Sequence, residues 1–166
     1  RVVRTNSLGV VDWQQTYFFA KPTYLIVAKP IGPATVAVGQ VLDPNVARVL
    51  YLGPDGAVAW DRVYPFPPDS VYVGAAAQGL GGIVVVGGLG APGNVIFQTA
   101  YIHLIDTDGN EHWRSTVASP SYSVAIDVTA TANGLTVLGY TKPPSPDPYD
   151  AWLAHTDAFG NYTCAN

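Results

Sequence analysis

Four short segments of the chain fall on one ruler. Gly9, Gly56, Gly109 and Gly160 stand four residues before Trp13, Trp60, Trp113 and Cys164, within SLGVVDW, PDGAVAW, TDGNEHW and AFGNYTC. One unit therefore recurs about every 50 residues. A period of that size belongs to propellers and arrays, in which each repeat buries a face against its neighbours. No other property of the chain narrows its fold as much.

The ruler extends beyond the turn. Ala47, Ala100 and Ala151 lie nine residues before their glycines, and Tyr17, Tyr64 and Val117 lie four residues after the tryptophans. A second glycine column closes TVAVG at Gly39, VVVG at Gly87 and TVLG at Gly139. The gaps from Trp13, Trp60 and Trp113 to those glycines are 26, 27 and 26 residues. Agreement at five columns marks a true repeat.

Within a unit, strand and turn chemistry alternate. In the second unit Ala47–Leu52 alternates, with Ala47, Val49 and Tyr51 on one face, Gly53-Pro54-Asp55-Gly56 is a turn, and Ala57–Tyr64 carries Trp60. Pro65–Pro68 breaks the pattern, then Ser70–Ala77 and Ile83–Gly87 supply two more strands. The third unit repeats the order with Ala100–Ile105, a turn at Asp106–Asn110, Glu111–Val117, Ser123–Thr129 and Leu135–Gly139. The last strand of each unit is apolar at consecutive positions, which predicts burial on both faces. No segment carries a helical period, so the expectation is an all-β chain. Its units span about 1–46, 47–98 and 99–148, with a partial one at 149–166.

Four-stranded antiparallel units of this length predict propeller blades. The tryptophan then has a structural task, since one large ring beside a tight turn can pack between blades while its indole N–H finds a carbonyl. The segment LIDTDGNEHW, residues 104–113, resembles the L-D-x-x-G-N-x-x-W turn of secreted β-propeller repeat proteins. It is similar in style to the tryptophan-docking repeats of quinoprotein-type propellers. The fourth unit keeps the first half of the pattern and puts Cys164 in the tryptophan column, while the first two replace Asp106 by Asn6 and Gly53. The resemblance implies architecture and packing. It transfers no activity and no quinone-binding residue, and no cofactor is called for.

Three units and the opening strands of a fourth amount to about three and a half blades and about 14 strands. A closed ring needs at least four blades. The expectation is an open arc, or part of a larger propeller, with strand edges and a blade face available for assembly. The chain opens on Arg1 and has no methionine, as expected of a processed or excised segment.

Charged residues make up only 12% of the chain, about half the usual share. The surface is therefore built from small polar, glycine, proline and tyrosine residues, and has little self-repulsion to resist association. Eight Lys and Arg without any run, in a chain of net charge −4, argue against nucleic acid. No apolar run is long enough to span a membrane as a helix. Low charge and the sequon Asn161-Tyr162-Thr163, a candidate N-glycosylation acceptor, favour an extracellular or cell-surface location. The lone Cys164 reads as a small filler at a packing column, with an intermolecular disulfide as the sharper alternative.

Sites of chemistry are sparse. Asp106, Asp108, Asn110 and Glu111 suggest a calcium loop but lack the further acidic ligands such a loop needs, so an Asx-type hairpin turn is the better reading. His103 and His112 straddle that turn, and His155 lies apart. None has an HxH, HExxH or cysteine partner, so no metal site is assigned. Asp12, Asp61 and Asp127 select no carboxylate pair, and no GxSxG elbow is present. The aromatic and proline-rich stretches Tyr17-Phe18-Phe19, 64–68 and 143–149 are better binding candidates. Tyr17, Phe18, Phe19, Phe66, Tyr149 and Trp152 are the rings to test at an interface or on a sugar.

The leading expectation is a non-enzymatic structural or interaction protein, completed by self-association through strand edges or by a partner. A lectin-like propeller binding glycans and a fragment of a propeller hydrolase are the two other classes.

Overall fold

The computed structural model describes residues 1–42, 45–65, 70–90, 97–117, 122–142 and 149–164, and among these the only regular elements are β-strands. Strands β1 (Val2–Thr5) and β2 (Val11–Gln15) form a two-stranded hairpin. Three four-stranded sheets follow. The first holds β3 (Thr23–Ile31), β4 (Ala34–Leu42), β5 (Asn45–Leu52) and β6 (Val58–Tyr64). The second holds β7 (Ser70–Gly79), β8 (Gly82–Gly90), β9 (Phe97–Ile105) and β10 (Glu111–Val117). The third holds β11 (Tyr122–Ala130), β12 (Gly134–Lys142), β13 (Asp150–Asp157) and β14 (Tyr162–Cys164). Every pairing joins chain neighbours and is antiparallel, so each sheet is a plain meander.

The strands lie where the sequence places them, but their grouping has another phase. Counted from its alanine, a sequence unit covers the third and fourth strands of one sheet and the first two of the next. The described two-stranded piece thus stands at the N-terminal end, and the Gly160 repeat closes a full four-stranded sheet. A period specifies spacing. Which hairpins share a sheet depends on the long-range pairing of β4 with β5, β8 with β9 and β12 with β13.

The sheets stack face to face in chain order, and period-two alternation directs the side chains. In β8, Ile83 and Val85 join a buried cluster with Val36, Val38 and Val49 of the first sheet. Val84 and Val86 point oppositely, into a cluster with Ala125, Leu135 and Val137 of the third. β8 is buried along its whole length, as its unbroken apolar run requires. On the far side of the first sheet, Ala37, Leu50 and Leu52 pack beneath Val2 of the hairpin. Each fully buried valine or isoleucine contributes about 1.5–3 kcal/mol, so stability accumulates layer by layer.

Paired bulges explain two of the columns. Gly39, Gly87 and Gly139 lie opposite Leu25, Val73 and Ala125, each the residue just before a bulge in the first strand of its sheet. A side chain at Gly39 would meet the backbone of Tyr24, and one at Gly139 the ring of Trp152. A second bulge leaves Asp12, Ala59 and His112 without a cross-strand partner immediately before Trp13, Trp60 and Trp113. Bulges twist the strand and re-aim the next side chain, here the tryptophan.

Candidate functional site

Four turns of one design line one edge of the stack. Asn6, Gly53, Asp106 and Asp157 donate their backbone N–H to the carbonyls of Val10, Ala57, Asn110 and Asn161 at 2.8–2.9 Å. In each, a glycine takes the left-handed conformation, with φ of 78° at Gly9, 82° at Gly56, 83° at Gly109 and 79° at Gly160. The Asp106 carboxylate accepts bonds from the backbone of Asp108 at 2.9 Å and of Asn110 at 2.7 Å, and from the Asn110 amide at 2.9 Å. Asp157 repeats this with Phe159 and Asn161. The bonds to Asn110 hold Asp106 below the ordinary carboxylate range, and the side chain of Asn161 does the same for Asp157. These acids close their own turns. Among the described residues, no group of three His, Cys, Asp or Glu is placed to hold a metal ion.

The repeat columns meet at these turns, one repeat ahead. Trp13 lies on Gly56, where an added Cβ would come within 2.7 Å of the indole, and Trp113 lies on Gly160 in the same way at 2.5 Å. Between them the pattern changes. Trp60 stacks on Tyr51, rings 5.5 Å apart and 8° from parallel, and donates its indole N–H to Thr107 O at 2.7 Å. Arg62 covers Gly109 instead. The tyrosine column completes the tie. The Tyr17 hydroxyl donates to Gly56 O and that of Tyr64 to Gly109 O, each at 2.8 Å. Burial raises the pKa of Tyr17 and pushes that of Tyr64 to about 12. Tyr17, expected on a binding surface, thus serves as an internal tie between sheets.

The other aromatic candidates do not converge. Phe18 is 91% exposed, whereas Phe19 packs into the hairpin cluster beneath the Arg48 guanidinium, 4.0 Å from the ring centre. Tyr149 is exposed, edge-on to Tyr140 at 5.3 Å. Trp152 packs into the cluster between the second and third sheets. Phe66 lies outside the described residues, as do 143–148. Asn161 is exposed, but its side-chain nitrogen already donates to Asp157. Cys164 ends the last strand, paired with Ala154.

The polar candidates are spent locally. Asp61 makes a two-pronged pair with Arg48 at 2.6 and 2.8 Å, and Asp12 lies 3.9 Å from Arg4. The Asp127 carboxylate accepts from the backbone of Val128 at 2.9 Å, and His155 Nδ1 lies 2.9 Å from the Thr136 hydroxyl. The two histidines of the third turn diverge. His112 is exposed near Asp106, while His103 is only 1% exposed, edge-on to Tyr64. His103 Nε2 lies 3.0 Å from Glu111, which also binds Arg114, and Arg114 reaches back to Pro65 O at 3.1 Å. Burial is the largest influence on His103 and lowers its pKa to about 4. Arg114 adds to this and Glu111 opposes it. No local signal distinguishes His103 from His112, three residues beyond the turn glycine.

The two ends of the stack are unlike. Ala47 and Val49 in the first sheet, and Ala100 and Ile102 in the second, are buried by the next sheet. Their equivalents in the third, Ala151 and Leu153, are exposed, Leu153 by 51%, beside Leu138 at 39%. At the other end the Gly9 turn has nothing within 4 Å of its glycine and exposes Leu8 and Val10. Protein-family models and curated proteins yield no match to this chain. Among the described residues no helix is long and apolar enough to cross a membrane.

Proposed function

We propose that the chain is an arc of propeller-type blades that acts as a non-enzymatic structural or interaction protein outside the cell, its open ends completed by another copy or a partner. One observation carries this reading. The column that buries Val49 and Ile102 between sheets presents Leu153 to solvent, with Leu138 and Ile126 also exposed on the same sheet. An apolar sheet face built like the buried ones before it is a surface shaped for another layer. The propeller assignment itself rests on the four-stranded meanders, their face-to-face order and the ring-on-turn ties that join each repeat to the next.

The lectin-like and hydrolytic classes find less support. Equivalent glycan sites would need an exposed column shared by the repeats, and the shared columns point inward. Most of the carboxylates discussed above bind turns and arginines, and the histidine of the His103–Glu111 pair, 3.0 Å apart, is only 1% exposed, packed edge-on against Tyr64.

The test is native mass across a range of concentrations, for the wild type and for Leu153→Lys. Concentration-dependent association, weakened at least tenfold by Leu153→Lys with Tm unchanged, is the expected result. A monomer at every concentration, equally unaffected by the substitution, would remove the self-association reading.

A further inference from the structure

The turn from β11 to β12 holds the chain's one Asn-Gly step, Asn133-Gly134. Gly134 opens β12 and has no room for a side chain, since a Cβ would lie 1.8 Å from the carbonyl oxygen of Thr156. Gly82, which opens β8, meets the carbonyl of Ile105 in the same way at 2.2 Å. Packing therefore demands a glycine at both places, while the residue before it is Gly81 in one sheet and Asn133 in the other. Thr131, Ala132 and Asn133 are exposed, and the Asn133 amide makes no hydrogen bond among the described residues. Thr131 donates its backbone N–H to Gly134 O at 2.9 Å. In an antiparallel strand the N–H and C=O of one residue face the same side, so the Gly134 N–H also points into the turn. No carbonyl of the turn accepts it. The glycines of Asp55-Gly56 and Asp108-Gly109 differ, because they donate to Gly53 O and Asp106 O at 3.0 and 3.1 Å.

We infer that Asn133 is a site of spontaneous deamidation, through which the folded protein acquires a carboxylate and an isoaspartyl linkage at this turn. Gly134 N loses its proton and attacks Asn133 Cγ, closing a five-membered succinimide. The side-chain amide nitrogen takes up a proton and leaves as ammonia. Water then opens the ring. Attack at the side-chain carbonyl gives aspartate, and attack at the main-chain carbonyl gives isoaspartate, whose backbone runs through Cβ. With no Cβ on Gly134, nothing on the attacking residue obstructs ring closure. Asn110 and Asn161 are guarded twice. Their side-chain nitrogens donate to Asp106 and Asp157 at 2.9 Å, and Glu111 and Tyr162 follow them in place of glycine. The product changes the hairpin in two ways. A new carboxylate stands next to the Gly134–Asp157 pair, where Asp157 already bears a charge and repels a second one. Isoaspartate also adds one backbone atom between Ala130 and Leu135, which face each other across the hairpin.

The experiment incubates the native protein at neutral pH and follows residue 133 by peptide mapping with mass spectrometry, isoaspartate being detected separately. Conversion of Asn133 to a mixture of aspartate and isoaspartate is expected, with one ammonia released for each residue converted. Its rate should exceed those of Asn110 and Asn161 at least tenfold. It should also rise with pH, because the attacking nitrogen must be deprotonated. The chain unfolded in urea sets the intrinsic reactivity of the step, and a native rate within tenfold of it is expected. Asn133→Gln would have to close a six-membered ring, so it should abolish the reaction and leave the circular dichroism unchanged. A native rate more than tenfold below that of the unfolded chain overturns the inference, since the fold then shields the step. Reaction at Asn110 or Asn161 as fast as at Asn133 overturns it as well. So does aspartate formed without isoaspartate, which would mean direct hydrolysis of the amide.

Discussion

The hydroxyl of Tyr64 donates to the carbonyl of Gly109, 45 residues further on, at 2.8 Å. It thereby joins the outer strand of one sheet to the turn of the next. The same bond links Tyr17 to Gly56. The tyrosine column of the repeat is thus a tie between neighbouring layers. Tyr64→Phe removes the donor and leaves the carbonyl without it at a buried site, which costs about 1–3 kcal/mol in urea denaturation. Tyr17→Phe, at a more exposed site, should cost less. The Tyr64 pKa of about 12 lies above that of an unfolded tyrosine. The folded state therefore loses stability as pH rises above about 10, and Tyr64→Phe should flatten that loss.

Gly9 and Gly56 share a backbone conformation but not an environment, which separates strain from docking. Alanine at either position meets the left-handed penalty of about 1–2 kcal/mol. At Gly56 it also collides with Trp13, whereas nothing lies within 4 Å at Gly9. Gly56→Ala should lower Tm clearly more than Gly9→Ala. Equal effects would show that Trp13 yields without cost.

Trp60 and Trp13 differ in what the indole N–H does. Trp60 donates to Thr107 O at 2.7 Å, while the Trp13 Nε1 is buried with no partner among the described residues. Replacement by phenylalanine should cost about 1 kcal/mol more at position 60 than at position 13, beyond the lost ring area. Equilibrium unfolding of the two variants checks the order.

His103 makes the chain acid-sensitive. Its folded pKa of about 4 lies below the unfolded value of 6.5, so between these pH values the unfolded chain binds the extra proton. Stability from this group is present above about 6.5 and is lost as pH falls towards 4, by on the order of 3 kcal/mol. Below 4 both states are protonated and the loss stops. His103→Phe should remove this slope in denaturation midpoints between pH 4 and 6.5.

Most of the strands were legible in advance, because they depend on neighbours along the chain. Glu111–Val117 was read to the residue, and the turn at Asp106–Asn110 follows from an Asx side chain and a glycine at fixed offsets. The regular spacing of Trp13, Trp60 and Trp113 was equally visible. The partner of each ring was not, since Gly56 and Gly160 lie a full repeat beyond Trp13 and Trp113. Arg62 over Gly109 had no signal, because an exposed-looking arginine in a strand reads the same wherever its head group lands.

Turn chemistry, strand period and the repeat therefore belong to the linear chain, each set by interactions spanning a few residues. Long-range pairing decided which hairpins share a sheet, and with it the open edge of β1. Stacking decided that Val49 and Ile102 are buried while Leu153 is exposed, and that His103 lies in a core while His112 meets water. Burial is a property of what arrives on the other side of a strand. Identical alternation along β5, β9 and β13 yields an interior or a surface according to whether a further sheet covers it.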